Sequence, residues 1–367
     1  MSAPSPFEAR RSGPVPLTLG LGEEQVPLGE RTSIETMLAI HREVQEAVDR
    51  RRNPVPRGQH PKQHGCVYAE FVVEDDLPSD LRHGILAQPR TFPALIRFSN
   101  ARLRNDALPD AHGMAIKLFE VEGPRLLDDG PGAATLDFVL VDHPVFFMAN
   151  VADGVSLLRD FQELVSGGLV GRSRVVLRGM FSQKRAFQIL RAMAAKRPAS
   201  PLSTRFWSTT PLRLGEHAVK VSARPRTQSA DVPRCGGRDR LRRALAGQLA
   251  GGAAVFDFAV QVQSHPVGMP VEDPTVEWDE NSAPFQRVAE IRIPAQQVHV
   301  PELLAFGERL SFTPWHGIEQ HRPLGGINRA RRVLYEVLAT RRRVLNGAPL
   351  REPTADEVRA LWAPALR

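Results

Sequence analysis

GCVYAEFVVE at 65–74, ALIRFS at 94–99, GMAIKLFEV at 113–121 and TLDFVLV at 135–141 follow one another with no helical pattern between them. Each run is rich in β-branched and aromatic residues, alternates in part, and is bounded by Pro, Gly, Asp or Asn turn residues. Four consecutive strands without crossover helices predict an antiparallel sheet or barrel. Upstream, residues 1–30 are Pro-, Gly- and Ser-rich and read as a flexible arm, and a first helix is predicted from Ser33 to Arg51, ended by Asn53-Pro54-Val55-Pro56. Downstream, Ala152 to Leu164, Ser182 to Lys196 and Arg238 to Leu249 space apolar residues by three and four, as helices do. Strand character returns at Val255 to Gln263 and Val288 to Ile293, and a last helix runs from Asn328 to Leu345, stopped by Asn346-Gly347. This order predicts one α+β domain, residues 31–367, in which the later strands rejoin the earlier sheet.

Composition narrows the function. The chain has 367 residues, 42% of them hydrophobic, which is globular and rules out disorder or coiled coil as a description of the whole. No run approaches the roughly 18 apolar residues of a spanning helix, and the start, MSAPSPFEARRSGPVPL, has no secretory apolar core, so the expected location is cytoplasmic. Cys66 and Cys235 are too few for a disulfide framework or a cysteine zinc site. The net charge of +7 comes partly from Arg50 to Arg52, the RDRLRR run at 238–243 and Arg341 to Arg343. No aromatic residues interleave with these runs, so they read as solvated helix faces rather than a nucleic-acid surface.

A GxSxG elbow, a GxxxxGK[ST] loop and a post-strand GxGxxG are all missing, which removes the usual support for hydrolase, P-loop and dinucleotide-binding readings. His60 and His64 are four apart, but Pro61 and the strand that follows keep them off a helix, so they make a poor metal pair. Only two tyrosines occur, and one of them, Tyr335, lies one helical turn after Arg331. A guanidinium beside a phenol favours the phenolate, the form that ligates ferric iron. Tyr335 on an ordinary amphipathic helix is the competing reading of that pair.

Taken with the segments Arg57 to Phe71, Ile96 to Asn100, Asp110 to Leu118, Asp142 to Phe147 and Arg331 to Tyr335, the chain resembles the haem catalases, and more closely their shorter catalase-related relatives. The blocks occur in the family's order. The resemblance implies an antiparallel β-barrel catalase-like core with surrounding helices, lacking the C-terminal helical region of full-length catalases, and haem b (iron protoporphyrin IX) as cofactor. It implies His60, of Arg57-Gly58-Gln59-His60, as the distal proton shuttle, a task suited to imidazole. Arg57 and Arg97 would pair with haem propionates, with Arg342 as a further candidate, because guanidinium makes bidentate bonds to carboxylates. Ser99 would hold the back of His60, Phe146 and Phe147 would wall the pocket, and Tyr335 would be the axial ligand of the iron with Arg331 keeping it anionic.

The sequence departs from the family pattern at three places. His112 stands where arginine is usual, Gln59 where an apolar residue is usual, and Asp142 at or beside the position of the distal asparagine. An amide donates to bound peroxide whereas a carboxylate only accepts, so Asp142, taken as a second catalytic candidate, argues against fast dismutation. The activity implied is a peroxidase or weak catalase reducing hydrogen peroxide or organic hydroperoxides. The alternatives are rearrangement or cleavage of a fatty-acid hydroperoxide, of the allene oxide synthase or hydroperoxide lyase type, and haem binding without turnover. The partners expected are a peroxide or lipid hydroperoxide and other copies of the chain, with no nucleic acid.

Overall fold

The run of strands forms as the alternation predicts, beginning with β1 (Lys62–Val73), β2 (Thr91–Asn100), β3 (His112–Leu118) and β4 (Leu136–Val141), which pair antiparallel in chain order. The structure is a computed structural model and describes residues 19–49, 53–128, 130, 133–166, 183–226 and 236–366. Later strands β5 (Phe206–Trp207), β6 (Leu212–Leu214), β7 (His217–Pro225), β8 (Ala254–Val262) and β9 (Gln286–Ile293) extend the sheet in the order β5-β4-β3-β2-β1-β9-β8-β7-β6. A second pairing of β5 with β7, Phe206 with Ala223 and Trp207 with Ser222, joins the two sides and closes an eight-stranded barrel. Closure leaves no edge open to pairing with another chain around the ring. The short β5, β6 and the alternating β7 carry weaker sequence signals than the strands predicted above.

Period-two alternation sorts the side chains. Val67, Ala69, Phe71 and Val73 of β1, Ala94, Ile96 and Phe98 of β2, Met114, Ile116 and Leu118 of β3, and Phe256, Phe258 and Val260 of β8 fill the barrel as one buried cluster. Phe258 sits at its centre, its ring centroid 5.0 Å from Phe71 and 4.8 Å from Phe138. Removing a ring such as Phe258 would cost about 3–5 kcal/mol. The opposite face of the same strands carries Cys66, Leu95, Arg97, Ser99, Gly113 and Lys117, and it is this outer face that the helices cover.

Those helices are α1 (Glu30–Asp49), α2 (Val151–Ser166), α3 (Lys184–Ala194), α4 (Arg240–Gly251), α5 (Pro301–Arg309), α6 (Gly326–Leu345) and α7 (Ala355–Trp362). Ile34, Met37 and Ile40 of α1 recur on one face and pack with Val151 and Val155 of α2 and Ile327, Ala330 and Leu334 of α6. Leu303 of α5 and Val358 and Trp362 of α7 cover Cys66 and Leu95 of the sheet. A capping box between Thr354 and Glu357 starts α7. Among the described residues no helix is long and apolar enough to cross a membrane.

The arginine runs at 238–243 and 341–343 are only in part the solvated faces expected: Arg238 and Arg243 are exposed, but others in the two runs turn inward. Arg240 donates to the carbonyls of Asp106 and Pro198, Arg242 to that of Gln63, and Arg342 and Arg343 are both buried. Backbone carbonyls and carboxylates brought from distant segments accept from them, although Arg242 Nε and Arg343 Nε stay unpaired, and charge runs in sequence give no sign of that. Arg50 to Arg52 and Cys235 lie outside the described residues.

One buried ionic network ties the C-terminal segment to the barrel. Lys117 Nζ on β3 lies 2.7 Å from both Asp137 Oδ1 of β4 and Glu352 Oε2, and Arg343 of α6 also bonds Glu352. Burial disfavours the charge of Glu352, yet Lys117, His316 and Arg343 hold its pKa well below the ordinary carboxylate value. The stability this carboxylate contributes is complete above its unfolded pKa of about 4.5 and is lost as pH falls toward the folded value. Lys117→Met leaves two buried carboxylates short of a cation and is expected to cost about 3–5 kcal/mol in urea unfolding. Glu352→Gln is expected to flatten the fall in stability below about pH 4.5; an unchanged acid limb would show that other carboxylates set it.

Candidate active site

Arg57 to His60 lead into β1, and the backbone at His60 is strained. Its φ is 54°, in the left-handed region and directly before a proline. Such a conformation costs about 1–3 kcal/mol and persists only where its surroundings over-determine it. Here the His60 N–H donates to the Ala101 carbonyl at 2.9 Å, and Arg97 Nη2 donates to the His60 carbonyl at 3.1 Å. His60 Nδ1 lies 3.0 Å from Ser99 Oγ. The ring rests on Gly113, where a Cβ would stand 2.5 Å from Cε1 and 2.6 Å from Nδ1, so a side chain at 113 would displace the imidazole. Ser99 pairs with Gln63 on one side and Gly113 on the other, which puts both contacts of the ring on one cross-strand row.

Burial, then the positive charges of Arg97 and Arg57, push the His60 pKa down to about 3, with Asp142 opposing and Arg331 adding to the shift. The imidazole is therefore neutral across the physiological range, with a ring nitrogen lone pair free to accept. An unfolded histidine takes up a proton below about 6.5 while the folded one does so only near 3, so acidification through that window favours unfolding.

Asp142 is buried at the end of β4. Its Oδ1 accepts from the His112 N–H at 3.0 Å, and its Oδ2 lies 2.8 Å from His112 Nδ1. Two of the departures from the family pattern are thus each other's partners. Gln59, the third, is exposed. Neighbouring His64 is buried, with Nε2 2.9 Å from Asn100 Oδ1, and Cys66 is a buried free thiol whose pKa burial pushes up to about 12. Among the described residues no group of three or more His, Cys, Asp or Glu side chains is arranged to hold a bare metal ion.

Tyr335 is partly buried on α6, in the cluster that also contains Phe146 and Phe147. These two rings lie 4.5 Å apart, and the Arg331 guanidinium sits over Phe146, 5.1 Å from its centroid. Arg331 Nη1 donates to Thr210 Oγ1 at 3.1 Å and to Asn328 Oδ1 at 3.3 Å, rather than to the Tyr335 oxygen. It also borders a cavity of about 20 Å³, shared with His316 and Thr210, with room for one water.

The start of α6 is fixed by residues the sequence did not single out. Arg329 bonds Glu24 at 2.7 Å, Glu30 at 2.7 Å and Glu272 at 2.9 Å, while Glu272 and Glu24 also accept from the N–H groups of Gly326 and Gly325. Glu24 and Glu30 come from one N-terminal segment and Glu272 from a distant one, and no local motif announces them.

Arg57, Arg97 and Arg342 gather at the C-terminal end of α5. Arg57 Nη2 donates to the carbonyls of Gly307, at 2.9 Å, and of Glu308 and Leu310. Arg342 donates to those of Glu308, at 2.6 Å, and Leu310, at 2.9 Å. Arg97 donates from Nε to Gln63 Oε1 at 3.1 Å and from Nη2 to Glu308 Oε1 at 3.2 Å. Sequence reading missed Glu308; α5 itself carried a legible start in Pro301 and Glu302.

The structure is similar to solved catalases. A fungal catalase superposes with a TM-score of 0.60 at 16% identity, over 84% of this chain and 64% of that one. Catalase A from Saccharomyces cerevisiae gives 0.58 at 17%, over 81% and 62%, and a bacterial catalase gives 0.60 at 16%, over 86% and 64%. The chain thus has a catalase-like fold and spans somewhat less than two thirds of the length of these proteins. No family model and no curated protein matches its sequence.

If His60 is the depressed imidazole described, nitrogen-detected NMR is expected to show its ring neutral from pH 8 to pH 5, the signal being assigned by its loss in His60→Gln. A titration midpoint near the ordinary value of about 6.5 would contradict the seat formed by Gly113, Arg97 and Arg57.

Proposed function

We propose that this chain is a haem-dependent peroxidase with weak catalase activity, reducing hydrogen peroxide or organic hydroperoxides with Tyr335 as the axial ligand of a ferric haem b. The observation that carries this reading is the neutral, strained His60, held by Ser99 over Gly113 within a catalase-like fold.

The residues present suit such a group. Glu308 is the one carboxylate among the described residues that Arg57 and Arg97 approach, Arg342 binds only backbone carbonyls beside it, and Arg57 Nε is buried without a hydrogen-bond partner. A donor set so short of anions matches the two propionates of haem b. Tyr335 supplies the phenol oxygen, with Arg331 one turn before it as the cation that offsets a phenolate. When bound, ferric haem supplies the iron that takes the peroxide and the electrons that break its O–O bond.

The work of the chain is proton transfer and positioning. In the tautomer in which Nδ1–H donates to Ser99 Oγ, His60 Nε2 carries the free lone pair and would take the proton of the peroxide's inner oxygen. It returns that proton to the outer oxygen, which leaves as water or, from an organic hydroperoxide, as an alcohol. The strained backbone and the Gly113 contact fix the ring and so reduce the reorganisation each transfer requires. Phe146 and Phe147, clustered with Tyr335, would shield a bound haem from water on that side. Asp142, with both oxygens accepting from His112, offers no second donor to a peroxide, which favours slow dismutation over fast. The same feature leaves room for conversion of a lipid hydroperoxide without an external reductant; turnover with and without an electron donor, with analysis for epoxide and aldehyde products, separates the two.

Tyr335→Phe is expected to abolish the high-spin ferric Soret band of protein purified with haem supplied; a wild-type spectrum and haem content would remove the ligand assignment. His60→Ala is expected to keep haem and to slow reaction with hydrogen peroxide by on the order of 10²–10⁴. An undiminished rate would put the proton shuttle on another residue.

A further inference from the structure

On the outer face of the barrel three guanidiniums, of Arg57, Arg97 and Arg342, gather around one carboxylate among the described residues, that of Glu308, and the carboxylate is the exposed member. The side chains of Arg97 and Arg57 are 3% and 12% accessible, that of Glu308 46%. Arg342 is buried as well. Glu308 lies 3.2 Å from Arg97 Nη2 and 3.8 Å from Arg57 Nε, while Arg342 binds the backbone carbonyl of the same residue. Gly307 sets this placement, since a Cβ there would stand 2.6 Å from both Cys66 Cβ and Gln63 Oε1. Only without a side chain at 307 does α5 come close enough to the sheet for the next residue to reach the arginines. The carbonyls at the end of α5 add partial negative charge, but the full charges remain three to one.

Such a cluster is under electrostatic tension. Burial, with Arg343 and Arg97 adding to it against the pull of Glu308, brings the Arg342 pKa down to about 10. Arg97 and Arg342 likewise depress Arg57, after burial. An anion arriving from solvent relieves this repulsion, and it meets Glu308 on the guanidiniums it would bind.

We propose that Glu308 is a built-in competitor for the anion site of Arg57, Arg97 and Arg342, holding bonds that a dicarboxylate ligand would take, so that its charge limits the affinity for the carboxylates of a porphyrin. The proposal rests on the haem reading above for the identity of the dicarboxylate. It assigns to Glu308 a role in affinity and none in the chemistry of peroxide.

The test uses metal-free protoporphyrin IX, which makes no axial bond and supports no turnover, titrated by fluorescence into haem-free protein at fixed ionic strength. Its dimethyl ester, with both carboxylates masked, is the control. Glu308→Gln is expected to bind the diacid about tenfold more tightly than the wild type, the weight of one charge-assisted hydrogen bond no longer contested, and to bind the ester unchanged. Glu308→Asp, which keeps a charge for folding but withdraws it by one methylene, is expected to fall between the two and serves if the glutamine variant does not fold. Equal or weaker diacid binding by the variants overturns the competitor role alone. Equal tightening for diacid and ester also overturns it, since the effect would then be steric. Failure of the wild type and both variants to bind either porphyrin overturns the haem reading and the competitor role with it.

Discussion

The cross-strand row Gln63, Ser99, Gly113 is the constraint on which the candidate site depends. Because β1, β2 and β3 pair in this register, a hydroxyl, a bare backbone and an amide lie side by side on the outer face of the barrel. The hydroxyl and the bare backbone seat His60, and the amide orients Arg97. A slip of one residue would turn the row into the barrel and bring the phenylalanines out. The register is held from the other side by the Phe71, Phe138 and Phe258 contacts, so the hydrophobic interior and the polar site are two faces of one pairing.

What covers the outer face is held by charge rather than by apolar area alone. Lys117 with Glu352 anchors the segment before α7, Arg329 with three glutamates anchors the start of α6, and the arginine cluster anchors the end of α5. Breaking the fully buried Lys117–Glu352 pair leaves an uncompensated buried charge, which costs more than the pair itself contributes. Ionic anchors of this kind therefore tie helices to particular places on the barrel, and place Tyr335 and Glu308 with them.

The first four strands were legible because β-branched and aromatic runs stand between turn residues, whereas the outer-face positions of Arg97 and Ser99 come from the register of the sheet. The closing strands were harder to read. β5 has two residues, and β7, HAVKVSARP, mixes small and polar side chains on a strand buried on both sides. Arg342 and Arg343 looked like solvent-facing charges because their partners, Leu310 and Glu352, are far from any helical neighbour position. His112 and Asp142 could each be read as a departure from the family pattern, but only the pairing of the β3 and β4 ends joins them. Charge partners across long sequence separations are set by tertiary structure, and no local period encodes them.

The charges that gather at the arginine cluster also act on the base. Arg97 and Arg57 each lower the proton affinity of His60, and Asp142 is the one carboxylate among its main influences that raises it. Any anion that pairs with Arg97 and Arg57 cancels part of their field, so it draws the pKa of His60 back toward the usual imidazole range. The coupling runs both ways, since a protonated His60 adds a positive charge beside the cluster and strengthens its hold on anions. An anion bound at the cluster would therefore be linked to the proton affinity of His60 through Arg97, whose Nη2 bonds the His60 carbonyl and Glu308 alike.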